Sequence, residues 1–162
     1  MLKKILSKDP SSYITIQDLN DKSINHDGFI YMVTFDDGYD SDYTIVFPLL
    51  ESLGIKATFF INTCNIGNLG FLDWDMIIEM EMKGNVFGSH GHSHLKMTDI
   101  SVEESRYEFI KSKEMYELNT EAKMRLFSFP YGLYNNNLLE LSRKCGYSNC
   151  FTSRHGTVSY TH

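Results

Sequence analysis

Three features that would quickly assign a protein class are scarce in this sequence. It has no apolar run long enough for a signal peptide or a membrane-spanning helix. Its three cysteines show no C-x-x-C spacing, which argues against a disulfide framework and against a cysteine zinc site. The 15 basic residues are outnumbered by 21 acidic ones, so a nucleic-acid partner is not expected. We therefore expect a soluble, cytoplasmic protein without a membrane span.

The composition that remains is that of an ordinary globular domain. The 162 residues suit a single domain, 1–162, and 42% of them are apolar, which is enough for a core. Ten tyrosines and eleven phenylalanines are many for this length. Buried aromatic side chains are therefore expected to supply much of a small core.

Short apolar runs alternate with helix-like stretches along the chain. This alternation predicts an α/β fold with a parallel sheet, either layered or closed as a barrel. The 14 residues of segment 11–24 are harder to place and are interpreted as a strand and a short helix across the sheet. The predicted strands are Phe29–Phe35, Ala57–Ile61, Val86–Gly88, Leu126–Phe129 and Ser148–Thr152.

Helix boundaries are marked by glycines and capping residues. Gly54 and Gly84 follow two helix-like stretches and predict their C-terminal ends. Ser101 with Glu104 three residues later is typical of a capping box at the start of a helix. Asn135 is placed to cap a last helix before the final strand.

Two adjacent carboxylates stand where the first strand ends. Asp36 and Asp37 would point to opposite faces of a straight strand, but Gly38 lets the chain turn, and both could then reach one site. Ligands collect at the carboxyl ends of parallel strands, which makes this a candidate site. The alternative is a solvated turn, since Asp-Gly is a common turn pair.

Three of the six histidines fall within five residues after the third strand. His90 and His94 share a face if the backbone there is helical, whereas His90 and His92 share one if it is extended. Two histidines and a carboxylate form a known zinc or iron ligand set that leaves positions open for water. The alternative is a polar loop with incidental histidines.

The fourth strand leads into Phe129-Pro130-Tyr131-Gly132. This segment has two interpretations. It is either a rigid turn, or a turn that aims the Tyr131 N–H into the site, where such a donor would stabilise an oxyanion.

Taken in order, these segments resemble the polysaccharide deacetylase family, known as the NodB homology domain or carbohydrate esterase family 4. Residues 34–38 are similar to its T-F-D-D-G signature, residues 90–94 to its H-x-x-x-H signature, and residues 130–132 to its Pro-Tyr-Gly segment. The resemblance covers a core of about 29–152. It implies an irregular (β/α) barrel, here expected to be incomplete at the C-terminus.

The resemblance also implies roles for the matching residues. Asp36 would be the general base of a hydrolase that removes an N-acetyl group from a sugar or polysaccharide precursor by cleaving an amide bond. Pro130 and Tyr131 would contact the substrate, with the Tyr131 N–H helping to hold the oxyanion. The cofactor would be a divalent metal, with Zn²⁺ the default and Co²⁺, Ni²⁺ or Fe²⁺ also compatible. The implied metal ligands are Asp37, His90 and His94.

The sequence departs from the family pattern in its C-terminal part. The only tryptophan, Trp74, does not lie in the aspartate–tryptophan segment of the family, and Ser128 stands near the position of a common arginine. The general acid is therefore unassigned, with His155 and His162 as candidates. The second hypothesis is a catalytically impaired member that acts as a metal- or carbohydrate-binding module. A purely structural metal ranks last, because three ligands leave the site open.

Overall fold

Five parallel strands form one curled sheet. The structure is a computed structural model that describes residues 9–16, 18 and 30–152. The strands lie side by side in chain order, so every connection advances in the same direction around the sheet. With helices on the outer face, this is half of a (β/α) barrel, which confirms the predicted fold class. The strands are Thr34–Asp37 (β1), Thr58–Ile61 (β2), Val86–Ser89 (β3), Leu126–Ser128 (β4) and Asn149–Phe151 (β5).

Each crossover between strands carries a helical segment. A five-residue π-helix, Asp42–Val46, leads into the first α-helix, and two 3₁₀ turns occupy Pro10–Ser12 and Pro130–Gly132. The π-helix leads directly to Pro48, which cannot donate a backbone hydrogen bond in the helix that follows. The α-helices are Phe47–Leu53 (α1), Trp74–Met82 (α2), Val102–Thr120 (α3) and Asn136–Lys144 (α4).

The predicted capping residues act as expected. Ser101 and Glu104 form both hydrogen bonds of the capping box at the start of α3. The Asn135 side chain accepts the Leu138 N–H at 2.9 Å and caps α4. Gly54 ends α1 at a φ of 65°, a conformation that glycine adopts without steric cost.

The first strand and the N-terminal segment differ from the prediction. The strand was expected over Phe29–Phe35, but the ladder with β2 begins at Thr34 and includes both aspartates, while Phe29 lies outside the described residues. The reason is pairing: all four positions of β1 match four positions of β2, whatever their polarity. In place of the predicted N-terminal strand, the described residues show one isolated parallel bridge, which joins Tyr13 to Tyr31. Much of segment 17–24 lies outside the described residues.

The two faces of the sheet are packed differently. On the convex face, Phe59, Phe87 and Phe127 pack against the helices in a cluster that includes Phe109 of α3. The rings of Phe109 and Phe127 are 4.5 Å apart, one of several such pairs, so aromatic side chains do supply much of the core. On the concave face a smaller apolar cluster is formed by Ile16, Phe60, Val86 and Leu126.

Gly88 allows the concave face to pack closely. A Cβ atom at this position would lie 2.5 Å from the Phe60 ring and 3.0 Å from Leu126. The ring therefore occupies the space that a side chain on β3 would fill. A residue with a Cβ atom at position 88 would therefore displace the Phe60 ring.

Both ends of the sheet are open in the part of the chain that the structure describes. There, β1 pairs as a strand only with β2, and β5 only with β4. This agrees with the expectation of an incomplete barrel, because a closed barrel has no open edge. No helix among the described residues combines the length and apolarity that crossing a bilayer requires.

Candidate functional site

The carboxyl ends of β1 and β3 bring one carboxylate and two imidazoles together. Asp37 Oδ1 lies 3.3 Å from His94 Nε2 and 3.9 Å from His90 Nε2. The three potential ligand atoms lie within 4.8 Å of one another. The structure therefore places at one point the three residues that the family resemblance implies as ligands.

Backbone strain is concentrated at this point. Asp37, His94 and Tyr131 have φ angles of 80°, 56° and 59°, a region that non-glycine residues rarely adopt. Among the described residues, only one other non-glycine residue, Glu121, has a positive φ. Such conformations cost about 1–3 kcal/mol each and persist at sites where orientation matters. At Asp37 the turned backbone explains how adjacent aspartates can serve one site.

His90 is buried and held in one ring orientation. Its Nδ1–H donates to the Ser128 carbonyl at 2.8 Å, which leaves the Nε2 lone pair directed toward Asp37. Burial lowers the pKa of His90, opposed by the Asp36 carboxylate and the Ser128 carbonyl. A neutral imidazole with one free nitrogen is the form that binds a metal.

Asp37 is oriented by a residue from the neighbouring strand. The Asn62 Nδ2 donates to Asp37 Oδ1 at 3.1 Å, and Asn62 follows directly on the last residue of β2. Asn62 was not identified from the sequence. The rule that ligands collect at strand ends would have drawn attention to it, because Asn62 stands at such an end.

His94 lies on the solvent side of the cluster. Its side chain is 29% exposed, against 4% for His90, so the cluster opens to solvent on the side of His94. The ring centroids of His94 and Tyr131 are 4.8 Å apart. The Lys96 ammonium lies 5.5 Å from the centroid of the same Tyr131 ring. An opening toward solvent is needed by a site that admits a substrate.

His92, the third histidine of the segment, is engaged elsewhere. Its Nδ1 is 2.9 Å from the Thr63 hydroxyl, and its ring stands edge-on to Tyr107. It does not belong to the cluster of potential ligands. The structure brings His90 and His94 together, but through an irregular loop with positive φ angles at Gly91 and His94, and not through either the helical or the extended backbone considered from the sequence.

Asp36 faces a cavity beside the cluster. The cavity has a volume of about 250 Å³ and is lined by Asp36 together with Phe60, Tyr131 and Phe151 among other residues. The pKa of Asp36 is raised, mainly because surrounding protein removes water from the charged form, while His90 opposes this and Asp37 adds to it. Asp36 is the only carboxyl group among the described residues that line this cavity.

The Pro130–Gly132 turn forms another part of the same cavity. Its closing hydrogen bonds are donated by Gly132 to Phe129 and by Leu133 to Pro130, at 2.8 and 3.3 Å. Tyr131 donates neither of these two bonds. Pro130 is buried, whereas the Tyr131 side chain is 55% exposed and lines the cavity together with Gly132.

The residues present fit a divalent metal. One carboxylate and two imidazoles are a common ligand set for Zn²⁺ and related ions, and three ligands leave coordination positions free. Two of the three are already oriented by a second hydrogen bond, from Asn62 and to Ser128. The chemistry of the donors therefore supports a metal site without selecting the ion.

Asp42, buried in the π-helix, is a second perturbed carboxyl group. Its Oδ2 has no hydrogen-bond partner in the described part of the chain. Burial, and secondly the charge of Asp37, raises the pKa of Asp42 to about 7, although the Tyr39 N–H opposes the shift. The sequence carries no signal for this residue, since its environment comes from the packing around the π-helix.

Replacing Asp42 with asparagine is expected to stabilise the metal-free protein as pH rises. The folded-state pKa is above the ordinary 3.8, so the folded state binds more protons and wild-type stability falls between about pH 4 and pH 7. Asp42→Asn removes this loss and is expected to raise the free energy of unfolding by up to about 4 kcal/mol at pH 7.5, and by little at pH 4. Urea unfolding in EDTA at both pH values measures the difference. Glu114→Gln, at an exposed carboxyl that does not contribute to this shift, is the control. A gain in stability that is equal at both pH values would contradict the assignment.

Comparison with known proteins agrees with this geometry. The family model for polysaccharide deacetylase matches residues 24–150. The chain belongs to the polysaccharide deacetylase family. Within this family it is 27% identical, over 96% of its length, to the peptidoglycan-N-acetylglucosamine deacetylase of Bacillus cereus, covering 67% of that protein. It is also 27% identical to the poly-beta-1,6-N-acetyl-D-glucosamine N-deacetylase of Staphylococcus aureus, over 70% of the chain and 44% of that protein.

Solved structures of the family share the fold. IcaB from Ammonifex degensii superimposes with a TM-score of 0.77 at 27% identity, over 88% of this chain and 69% of that chain. A polysaccharide deacetylase from Bacillus cereus gives a TM-score of 0.81 at 23% identity, over 94% of this chain and 49% of that one. The chain spans about half the length of the first curated relatives that it matches, at 46% of each.

Proposed function

We propose that this protein is a metal-dependent hydrolase that removes the acetyl group from an N-acetylated sugar. One observation carries the proposal: Asp36 lines a cavity directly beside the Asp37, His90 and His94 cluster. Amide hydrolysis by an activated water requires a base next to a metal site and a small pocket for the reacting group. Membership of the family supports the same reaction.

Metal binding is assigned to Asp37, His90 and His94. A divalent ion held there would supply a water of lowered pKa and a Lewis acid for the acetyl carbonyl. His90 contributes a fixed Nε2 because its Nδ1–H is committed to Ser128. Asp37 contributes a carboxylate oxygen that Asn62 holds in place.

Asp36 is assigned as the general base. Its carboxylate accepts the proton of the attacking water while the water oxygen bonds to the acetyl carbon. A raised pKa suits this role, because a base whose pKa is nearer the working pH is a better proton acceptor. The position of Asp36 in the cavity wall keeps the carboxylate close to the reacting carbonyl.

The turn at Pro130–Gly132 is assigned to the oxyanion and the acetyl group. The Tyr131 N–H would donate to the carbonyl oxygen as negative charge develops on it. Phe60 and Phe151 form an apolar part of the same cavity, which suits the acetyl methyl group and keeps bulk water away. Pro130, the buried first residue of this turn, restricts its backbone.

The sugar amine must receive a proton as the C–N bond breaks. His155 and His162, the two candidates from the sequence for this donor, lie outside the described residues. Within the described lining of the cavity, Asp36 is the sole carboxyl group. If the donor is lacking, the protein would be the binding module of the second hypothesis, and the assay below distinguishes the two.

The substrate is proposed to carry N-acetylglucosamine. The names of two relatives specify this sugar, in peptidoglycan and in a beta-1,6-linked polymer. If the protein is cytoplasmic, as expected from the sequence, a soluble precursor is the accessible form. A polymer would be the substrate outside the cell, so both forms belong in the assay.

Acetate release is expected to require the bound metal. The full chain would be incubated with chitin oligomers, peptidoglycan fragments, poly-beta-1,6-N-acetylglucosamine and nucleotide-linked N-acetylglucosamine, with and without EDTA. We expect release on at least one substrate, loss of release in EDTA, and recovery when Zn²⁺ or Co²⁺ is restored, because the base acts on a metal-activated water.

Three other results would contradict parts of this proposal. Release that persists unchanged in EDTA, with metal content shown to be nil, would remove the metal from the reaction. Tight metal binding without release from any acetylated sugar would favour the binding module. Release that continues unchanged in both His155→Ala and His162→Ala would show that neither histidine is the proton donor.

A further inference from the structure

The loop between the two histidine ligands is held by one carboxylate of helix α3. The N–H groups of His92 and Ser93 both donate to Glu108 Oε2, each at 2.7 Å. Glu108 is only 1% exposed. Two short bonds from adjacent N–H groups to one carboxylate oxygen fix the peptide planes that carry them.

The rest of the loop is bonded on both sides. The Gly91 N–H donates to the Ser89 hydroxyl at 3.0 Å, and Ser89 contacts the hydroxyl of Ser112, one turn beyond Glu108 on α3, at 2.5 Å. The carbonyls of Gly91 and His92 accept the N–H groups of residues 63 and 64, at 3.4 and 3.0 Å. Successive backbone groups between His90 and His94 are therefore bonded to protein, and α3 supplies the only charged partner in this described network.

Glu108 has no cationic partner in the part of the chain that the structure describes. Among the described residues, no lysine, arginine or histidine side chain forms an ion pair with it. The two N–H groups thus replace the water that this buried charge has lost. The loop and the carboxylate stabilise each other, and they do so with protein atoms alone.

The Glu108 carboxylate lies close to the backbone of Gly91. A Cβ atom on Gly91 would lie 3.1 Å from Glu108 Oε2, and its φ of 84° is already one that favours glycine. The left-handed turn at Gly91 points the next two N–H groups toward α3. The same turn reverses the chain so that His94 returns to His90, with ring centroids 5.0 Å apart.

We propose that Glu108 is a positioning residue that sets the spacing of His90 and His94 before any metal binds. This inference rests on the proposed metal site. Glu108 touches neither the ligands' ring nitrogens nor the cavity; it acts through the backbone of the two residues between them. The loop is consequently preorganised in the metal-free protein, and metal binding need not order it.

Two replacements of Glu108 separate the effect of its acceptor oxygen from the effect of its charge. Both N–H groups bond to the same oxygen, so a glutamine amide oxygen at that place can accept both, whereas an aspartate keeps the charge but is one methylene too short. We expect Glu108→Gln to keep Co²⁺ affinity within about threefold of wild type, as a neutral acceptor is weaker but present. Glu108→Asp is expected to lose about 10–100-fold, the usual effect of removing a partner behind a metal ligand.

Co²⁺ titration followed by visible absorption tests this expectation on the full chain. The d–d bands of the Gln variant should match wild type, and those of the Asp variant should change in position and intensity, since one histidine is displaced. Glu114→Gln and Glu114→Asp, at an exposed position of the same helix, are the matched controls. They should leave both the Co²⁺ affinity and the d–d bands unchanged. Wild-type affinity and spectrum in Glu108→Asp, or equal loss in the Gln and Asp variants, would overturn the proposal.

A second measurement needs neither metal nor a stable Asp variant. In the metal-free wild type, the amides of His92 and Ser93 should exchange with solvent slowly, and in Glu108→Gln they should remain protected. Fast exchange of both amides in the folded, metal-free wild type would overturn the positioning role. If wild type binds no Co²⁺ while these amides are protected, the proposed metal site is refuted, but the role of Glu108 in holding the loop is not.

Discussion

Replacing His94 with alanine is expected to lower metal affinity by more than about 100-fold. Removing a ligand should exceed the 10–100-fold typical of removing a residue behind one. His94 provides one of three ligand atoms that lie within 4.8 Å of one another, and Asp37 with His90 alone would leave a weak site. Metal content after dialysis against a buffered Zn²⁺ solution, and competition with a chelating dye, measure the loss.

His92→Ala is the matched control for this prediction. It removes the same side chain from the same loop, but that ring bonds to Thr63 and lies outside the cluster. The Glu108 bond uses the backbone N–H of His92, which alanine retains. A result in which His92→Ala loses the ion while His94→Ala keeps it would reverse the assignment of ligands in this segment.

Replacing Asp36 with asparagine is expected to reduce amide hydrolysis by roughly 10²–10⁴-fold, the usual contribution of a positioned general base. Asparagine has nearly the same shape and cannot accept the proton of the attacking water. The fold should be retained, because Asp36 lies in the wall of the cavity and not in the apolar core. Initial rates of acetate release at saturating metal measure the effect.

The metal content of Asp36→Asn decides between two roles. A general base leaves metal affinity nearly unchanged when it is replaced, whereas a ligand does not. Asp40→Asn, at an exposed carboxyl four residues further along, controls for the loss of negative charge near the site. If Asp36→Asn loses metal together with activity, the division of labour between Asp36 and Asp37 is wrong.

Both predictions depend on a site that protein contacts have already shaped. Ser128 orients His90, Asn62 orients Asp37, and Glu108 holds the loop that leads to His94. The strained φ angles at Asp37 and His94 are maintained by these contacts rather than by local preference. Rigid support of this kind favours tight metal binding in a fixed geometry.

Local signals in the sequence accounted for most of the architecture. The capping box at Ser101, the asparagine cap at Asn135 and the glycine stop at Gly54 act through neighbours three or four residues away, so the sequence shows them directly. Apolar runs located β2 to β5 within a residue or two. The first strand was misplaced because its register depends on pairing with β2, which local hydrophobicity does not report.

The sequence by itself determined the family, the fold class and the residue types available for chemistry, since the motifs occur in order at predicted strand ends. Only the tertiary structure decided how these residues meet. Asn62 reaches Asp37 across 25 positions and Ser128 reaches His90 across 38, and both contacts arise from strands that are neighbours in the sheet. The burial that raises the pKa of Asp42 likewise comes from packing. Distances and solvent access are properties of the packed chain, whereas motifs and caps act over a few residues along it.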